Sequence, residues 1–165
     1  MKTKPAAAFA AAIVALPLLS GTATAAALSL DAARALADQL YQVVNQPDAK
    51  DVKALLSAAV TPDFRSYAAN DSFKTLDEAV VGIAGLGAVV PDLTWEIKDV
   101  MVSGDRMIAR GEATGTPLTD FFGVPHNGKS FRIMSIDIWT VTDGKVSSVY
   151  HLEDWAGAIG QLSAH

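Results

Sequence analysis

The chain has 165 residues, with 18 acidic and 13 basic side chains, and 50% of its residues are hydrophobic. It contains no cysteine, which excludes disulfides and any cysteine-based metal or redox site. The acidic balance and the lack of a basic run argue against nucleic acids and anionic membranes as partners.

The N-terminus has the pattern of an export signal. Two lysines are followed by an apolar stretch and then by a small-residue Ala-Thr-Ala site. We therefore predict a signal peptide over residues 1–25, with cleavage after Ala27 as an alternative, and one mature domain over 26–165. The protein would then be periplasmic or secreted, without stable membrane insertion after cleavage. A retained N-terminal anchor is the other interpretation, but a spanning helix needs about 20 apolar residues.

Three helices are predicted in the first half of the mature domain. Ser29 can cap a helix whose apolar residues recur at the helical period as far as Val44. A second, shorter helix is predicted over residues 51–59. Thr75 and Glu78 match a capping box, which predicts the start of a third helix.

From residue 93 onwards the hydrophobic period changes from that of a helix to that of a strand. Three helices followed by four antiparallel strands predict an α+β fold, in which about three N-terminal helices pack against a curved antiparallel sheet. A sheet that curls around its helices forms a cone, and ligand pockets favour the mouths of such shapes. The predicted strands cover residues 93–102, 106–116, 131–141 and 146–153.

The last two strands carry two ionisable residues in a mostly apolar pattern. Because strand side chains alternate between faces, Asp137 and His151 share a face in only one of two registers. A three-residue loop over residues 142–144, with Gly144 left-handed in a bulge, would place them together. A tight two-residue turn would place them on opposite faces. The functional hypothesis requires the first arrangement.

Buried together, Asp137 and His151 would shift each other's pKa. An imidazole with a pKa near neutral could take a proton from the carbon next to a carbonyl, while Asp137 orients its other ring nitrogen. We therefore predict that both residues are catalytic. The alternative is a structural polar pair that satisfies itself inside the cone.

Further side chains are candidates for substrate binding. Tyr41 and Tyr67 could donate a hydroxyl to a developing oxyanion, although buried core tyrosines are the commoner case. Arg110 could bind an anionic group or an enolate, and a buried salt bridge is its structural alternative. No metal site is predicted. Phe131 and Trp139 are predicted to line the pocket as apolar wall, and Glu153 is a further candidate for substrate binding.

The order of several short segments resembles the SnoaL-like polyketide cyclase (ester cyclase) family of the nuclear transport factor 2-like superfamily. The resemblance covers about residues 36–162, and no single motif in it is specific. It is carried by Pro-Asp-Leu at 91–93 with Gly-Asp-Arg at 104–106, by the loop at 115–129, and by the final hairpin with Asp-Ile-Trp at 137–139 and Tyr-His-Leu-Glu-Asp at 150–154.

This resemblance implies an α+β cone with a hydrophobic pocket, often in a homodimer, and no metal or organic cofactor. The family's cyclases close a polyketide ring by an intramolecular aldol step, with an Asp as general acid/base and a His nearby. Those two roles fall here on His151 and Asp137 respectively, so the two residue types are exchanged.

The resulting prediction is an exported enzyme of the cyclase, isomerase or lyase type, without a cofactor. It would act by general acid/base chemistry on a small apolar carbonyl compound. The alternative is a non-catalytic periplasmic binding protein for a hydrophobic small molecule. A third possibility, a structural domain, predicts a cavity filled by side chains.

Overall fold

The computed structural model describes residues 27–164, so the predicted signal peptide lies outside the described residues. Within that range, no helix has both the length and the hydropathy needed to cross a membrane. The helices are α1 (Leu30–Val44), α2 (Val52–Ala59), α3 (Leu76–Val89) and α4 (Trp155–Ser163), and the strands are β1 (Val60–Tyr67), β2 (Lys74–Thr75), β3 (Thr94–Ser103), β4 (Arg106–Gly115), β5 (Phe131–Thr142) and β6 (Lys145–Glu153).

The first three helices begin where their capping residues predict. The Ser29 hydroxyl accepts the N–H of Ala32 at 3.1 Å, and the Asp51 carboxylate caps α2 in the same way. Thr75 and Glu78 form both halves of a capping box at the start of α3. Each cap satisfies N–H groups that have no partner within their own helix. The predicted helix starts are therefore confirmed.

All six strands form one curved sheet in the order β2-β1-β6-β5-β4-β3. The four long strands are antiparallel to one another, as predicted. However, β1 lies parallel to β6, so the sheet as a whole is mixed rather than antiparallel throughout. The predicted α+β class is confirmed. The strand pattern of β1 could not reveal its direction, because side-chain alternation is the same in parallel and antiparallel pairs.

The two faces of β5 and β6 have opposite environments. Ser135 and Trp139 are buried on the inner face, beneath the helices, in the same row as Asp137. The more apolar row of these two strands lies on the outer face instead. Its exposed members are Met134 (54% exposed), Ile136 (40%), Tyr150 (41%) and Leu152 (72%).

The hairpin between β5 and β6 has the expected register, but its turn differs from the one predicted. Its turn has only two residues, Asp143 and Gly144, with φ angles of 50° and 78° as in a type I′ turn. The predicted three-residue loop is therefore wrong. A bulge restores the register, because Ser147 is left over where the pairing shifts by one residue. As a result, Asp137 lies directly opposite His151.

Candidate active site

A cavity of about 320 Å³ lies between the helices and the inner face of the sheet. This volume lies within the range of small-molecule sites and contradicts the alternative of a filled core. Most of its wall is apolar and comes from α1, α3 and the sheet. Six polar side chains interrupt that wall: Tyr41, Ser66, Lys74, Asp137, His151 and Glu153.

Asp137 is held by a helix residue rather than by its strand neighbour. The Tyr41 hydroxyl, from α1, donates to Asp137 Oδ2 at 3.1 Å. Burial raises the pKa of Asp137 to about 7, and the nearby charge of Glu153 adds to this effect. Burial and the Asp137 charge also raise the pKa of Tyr41 far above its ordinary value. Asp137 can therefore gain or lose a proton near neutral pH, while Tyr41 stays a hydrogen-bond donor.

Both ring nitrogens of His151 have partners. Nδ1 lies 2.8 Å from Glu153 Oε1, and Nε2 lies 3.1 Å from Ser66 Oγ. Burial lowers the pKa of His151, but the hydrogen bond and charge of Glu153, together with the charge of Asp137, outweigh burial. The net pKa of His151 is therefore above its ordinary value of 6.5.

The expected partnership between the two predicted catalytic residues needs one correction. Asp137 and His151 do lie side by side on the inner face and both line the cavity. Asp137 does not orient the imidazole, because the second nitrogen of His151 is bonded to Glu153. Hydrogen bonds thus divide the two residues into separate groups, Asp137 with Tyr41 and His151 with Glu153 and Ser66.

The predicted substrate-binding residues fall into two sets. Tyr41, Trp139 and Glu153 line the cavity, and Trp139 packs edge-on against Tyr41 with ring centroids 6.1 Å apart. For Tyr67, Arg110 and Phe131, the expectation that they line the cavity is wrong.

These three residues lie elsewhere for reasons visible in the strand pattern. Tyr67 stacks on Tyr150, with ring centroids 4.5 Å apart, on the outer face. Arg110 is exposed because its neighbour on β4, Ala109, takes the inner position. Phe131 points inward but is 2% exposed and packs in an aromatic cluster beside the cavity.

Sequence reasoning missed two of the six polar cavity residues, Ser66 and Lys74. Ser66 lies two positions after buried Phe64 on β1 and so shares its face, which made the period of two a usable signal for its inward direction. Lys74 lies on the two-residue strand β2, which is too short to show any period. Its position follows from pairing, because Lys74 lies opposite Ser66 in the β1–β2 ladder.

Comparison with known proteins identifies the family. The sequence description of the SnoaL-like polyketide cyclases matches residues 34–162, which is most of the chain. The chain belongs to this family. No curated protein matches this SnoaL-like chain.

Solved structures share the SnoaL-like fold. TsrD from Streptomyces laurentii is 24% identical, with a TM-score of 0.71, and the match covers 84% of this chain and 99% of TsrD. IdmH from Streptomyces antibioticus is 22% identical, with a TM-score of 0.69, over 80% of this chain and 99% of IdmH. A SnoaL-like polyketide cyclase from Agrobacterium tumefaciens is 20% identical, with a TM-score of 0.62, over 81% and 96% of the two chains. At these identities the neighbours establish the fold, and family membership supports a cyclase-type function.

Within residues 27–164 of the SnoaL-like domain, no three His, Cys, Asp or Glu side chains converge as a metal site would require.

Proposed function

We propose that this SnoaL-like protein catalyses proton transfer at the carbon next to a carbonyl in a small apolar compound, in a cyclase-type reaction. One observation carries the proposal: Asp137, with a pKa of about 7, lies opposite His151 in an otherwise apolar cavity. A general acid/base works best when its pKa is close to the working pH.

Asp137 is the better of the two residues for removing the proton. It has only one hydrogen-bonding partner among the described side chains, the Tyr41 hydroxyl on Oδ2, whereas both nitrogens of His151 are engaged. In the proposed step, the Asp137 carboxylate takes the proton from the carbon and an enolate forms. The enolate carbon then bonds to a second carbonyl carbon of the same molecule.

The oxygen of that second carbonyl becomes an alkoxide and needs a proton. Protonated His151 lies on the neighbouring strand and can donate one, since its pKa is raised. The proton held by Asp137 then passes to solvent, and His151 takes up one proton from solvent, so both residues return to their starting states. This division of roles differs from the sequence-based hypothesis, in which the imidazole removed the proton from carbon.

The cavity wall supports a small apolar substrate. Leu40, Ile83 and Leu86 come from the helices, and Trp95 and Trp139 come from the sheet. A wall of this kind stabilises an apolar substrate by desolvation and strengthens the electrostatic effect of the few polar groups within it. A bicyclic ketone is of suitable size for about 320 Å³.

We also propose that the mature protein is exported and forms a homodimer. The export proposal rests on the signal pattern over residues 1–25. The dimer proposal rests on the outer face of β5 and β6, where Met134, Ile136, Tyr150 and Leu152 are all at least 40% exposed. Contiguous exposed apolar residues on a sheet face favour association with another protein surface.

Deuterium exchange at carbon tests the proposed proton transfer directly. Purified mature protein is incubated with 1-tetralone in D₂O, and incorporation at the carbon next to the carbonyl is followed by NMR. We expect the wild-type protein to accelerate exchange, and Asp137→Asn to slow it by about a hundredfold or more. His151→Gln should lower the rate of ring closure to a similar degree on a substrate that carries two carbonyls.

Asp38→Asn is the matched control, because Asp38 is exposed on α1 and lies outside the cavity. It should retain the wild-type exchange rate. If the wild-type protein binds the ketone but does not accelerate exchange, the result favours the alternative of a non-catalytic binding protein.

A further inference from the structure

The cavity contains a serine, a histidine and a carboxylate joined in one chain of hydrogen bonds. Ser66 Oγ lies 3.1 Å from His151 Nε2, and His151 Nδ1 lies 2.8 Å from Glu153 Oε1. These distances are within the range expected for a nucleophile and its base, and for that base and its orienting group. Ser66 is 9% exposed, and it borders the cavity together with both partners.

Glu153 determines which nitrogen of the neutral imidazole can act as a base. A carboxylate only accepts hydrogen bonds, so the proton of neutral His151 lies on Nδ1. Nε2 then has a free lone pair, and the Ser66 hydroxyl donates to it. Loss of the serine proton to Nε2 would create a nucleophilic oxygen inside an apolar cavity.

The three residues of this hydrogen-bonded chain come from two distant parts of the sequence. His151 and Glu153 are two positions apart on β6, so their side chains share a face. Ser66 comes from β1, 85 residues from His151, and the parallel pairing of β1 with β6 brings the two together. The sequence around Ser66 has no Gly-x-Ser-x-Gly motif, but such a triad is recognised by geometry and roles.

A lysine is paired with the serine on the neighbouring strand. Lys74 faces Ser66 across the β1–β2 ladder, and both line the cavity. Directly opposed strand residues have Cβ atoms about 5 Å apart. The Lys74 ammonium lies next to α3, since a methyl group built on Gly82 would be in ordinary contact with Lys74 Nζ at 3.5 Å. Among the described residues that line the cavity, Lys74 is the only lysine or arginine.

We propose that Ser66 is a nucleophile and that this cavity hydrolyses small apolar esters through an acyl-serine intermediate. Ser66 Oγ bonds to the ester carbonyl carbon while its proton moves to His151 Nε2. The carbonyl oxygen becomes an oxyanion, which Lys74 stabilises. The C–O bond to the alcohol then breaks, and the alcohol leaves with the proton from Nε2.

Water completes the cycle. His151 Nε2 takes a proton from water as the water oxygen attacks the acyl carbon. The bond to Ser66 Oγ breaks, the carboxylic acid leaves, and the proton returns from Nε2 to Ser66. No oxidant, reductant or other co-reactant is needed.

This activity is separate from the proton transfer proposed for Asp137. It requires Ser66 and a neutral His151, whereas the aldol step requires the Asp137 carboxylate and a protonated His151. Labelling of Ser66 therefore tests the ester proposal alone, and deuterium exchange at carbon tests the other alone.

The first test needs no substitution. Mature wild-type protein is treated with a small alkyl fluorophosphonate, which reacts with activated serines, and the modified peptide is mapped by mass spectrometry. We expect one adduct per chain, on Ser66. In parallel, the protein should hydrolyse p-nitrophenyl butyrate faster than buffer does. An unlabelled protein that also leaves the ester intact would overturn the proposal.

Two variants identify the residue responsible. Ser66→Ala should lose the adduct and reduce kcat/KM for the ester by at least about a hundredfold. Ser72→Ala, at an exposed serine outside the cavity, should keep both. Retention of the ester activity by Ser66→Ala, or mapping of the adduct to another residue, would refute the assignment.

Glu153 is a positioning residue in this proposal, and its test is a pH profile. The Glu153 hydrogen bond and charge raise the pKa of His151. Glu153→Gln should therefore shift the rising limb of ester hydrolysis to lower pH, and also reduce its plateau. A reduced rate with an unmoved limb would indicate a purely structural role for Glu153.

Discussion

Replacement of Asp137 by Asn should make the protein more stable at neutral pH even as it removes the proposed proton acceptor. The reason is the cost of holding a carboxylate in this cavity. Burial, together with the Glu153 charge, disfavours ionised Asp137, and the Tyr41 hydroxyl and His151 compensate only in part. Asparagine has nearly the same shape, carries no charge, and can still accept the Tyr41 hydrogen bond at its amide oxygen.

The size of the effect follows from the change in pKa. A rise from 3.8 to about 7 corresponds to about 4 kcal/mol, at 1.36 kcal/mol for each pKa unit. Between these two values the native protein holds a proton that the unfolded chain has lost, so stability falls as the pH rises. Below pH 3.8 both states are protonated, and above about pH 7 both are ionised. The penalty is therefore absent at low pH and complete near pH 8.

Urea unfolding of both proteins between pH 4 and pH 8 measures this difference. The free energy of unfolding of Asp137→Asn, relative to wild type, should rise with pH by about 4 kcal/mol across that range. Any cost of the amide itself adds a constant that does not depend on pH. Asp38→Asn, at an exposed site, should show a nearly flat difference. A flat difference for Asp137→Asn as well would refute the reasoning.

Three further predictions concern the site and the outer face. Tyr41→Phe removes a hydrogen bond that lowers the pKa of Asp137, so ¹³C NMR should show the Asp137 carboxyl titrating higher; an unchanged midpoint would contradict this. Gly111→Ala places a methyl group against the Tyr41 hydroxyl and should destabilise the protein by about 1–3 kcal/mol in urea unfolding. Gly85→Ala, with nothing within 4 Å of the added carbon, should not destabilise it. Leu152→Asp, at a 72% exposed position, should turn a wild-type dimer into a monomer in analytical ultracentrifugation, and a monomeric wild type would disprove the dimer.

Much of the fold could be predicted because its signals are local. The capping residues Ser29 and Thr75 predicted their helix starts, and alternation predicted the four long strands. Alternation also predicted that Asp137, Trp139 and His151 are candidates for one face. The predicted loop length was wrong, yet the predicted pairing of Asp137 with His151 is confirmed, because the bulge in β6 has the same effect on register as a longer loop.

The outward direction of the Tyr67 side chain could not be predicted from local sequence signals. The direction of its strand β1 and the strand beside it depend on distant parts of the chain. Tyr67 was a candidate by residue type, whereas Ser66, one position earlier, faces the cavity. One residue of error reverses the face of every side chain in a strand.

The amino-acid sequence by itself determined where three helices and the four long strands lie, the α+β class and the strand row that Asp137 shares with Trp139. Helix caps and side-chain periods depend on neighbours along the chain, so they can be recognised without knowing which elements pack together. Only the tertiary structure decided that β1 lies parallel to β6, that Tyr41 holds Asp137, and that Ser66 reaches His151. These contacts join residues 96 and 85 positions apart, and burial in a shared cavity, which no local pattern encodes, sets their chemistry.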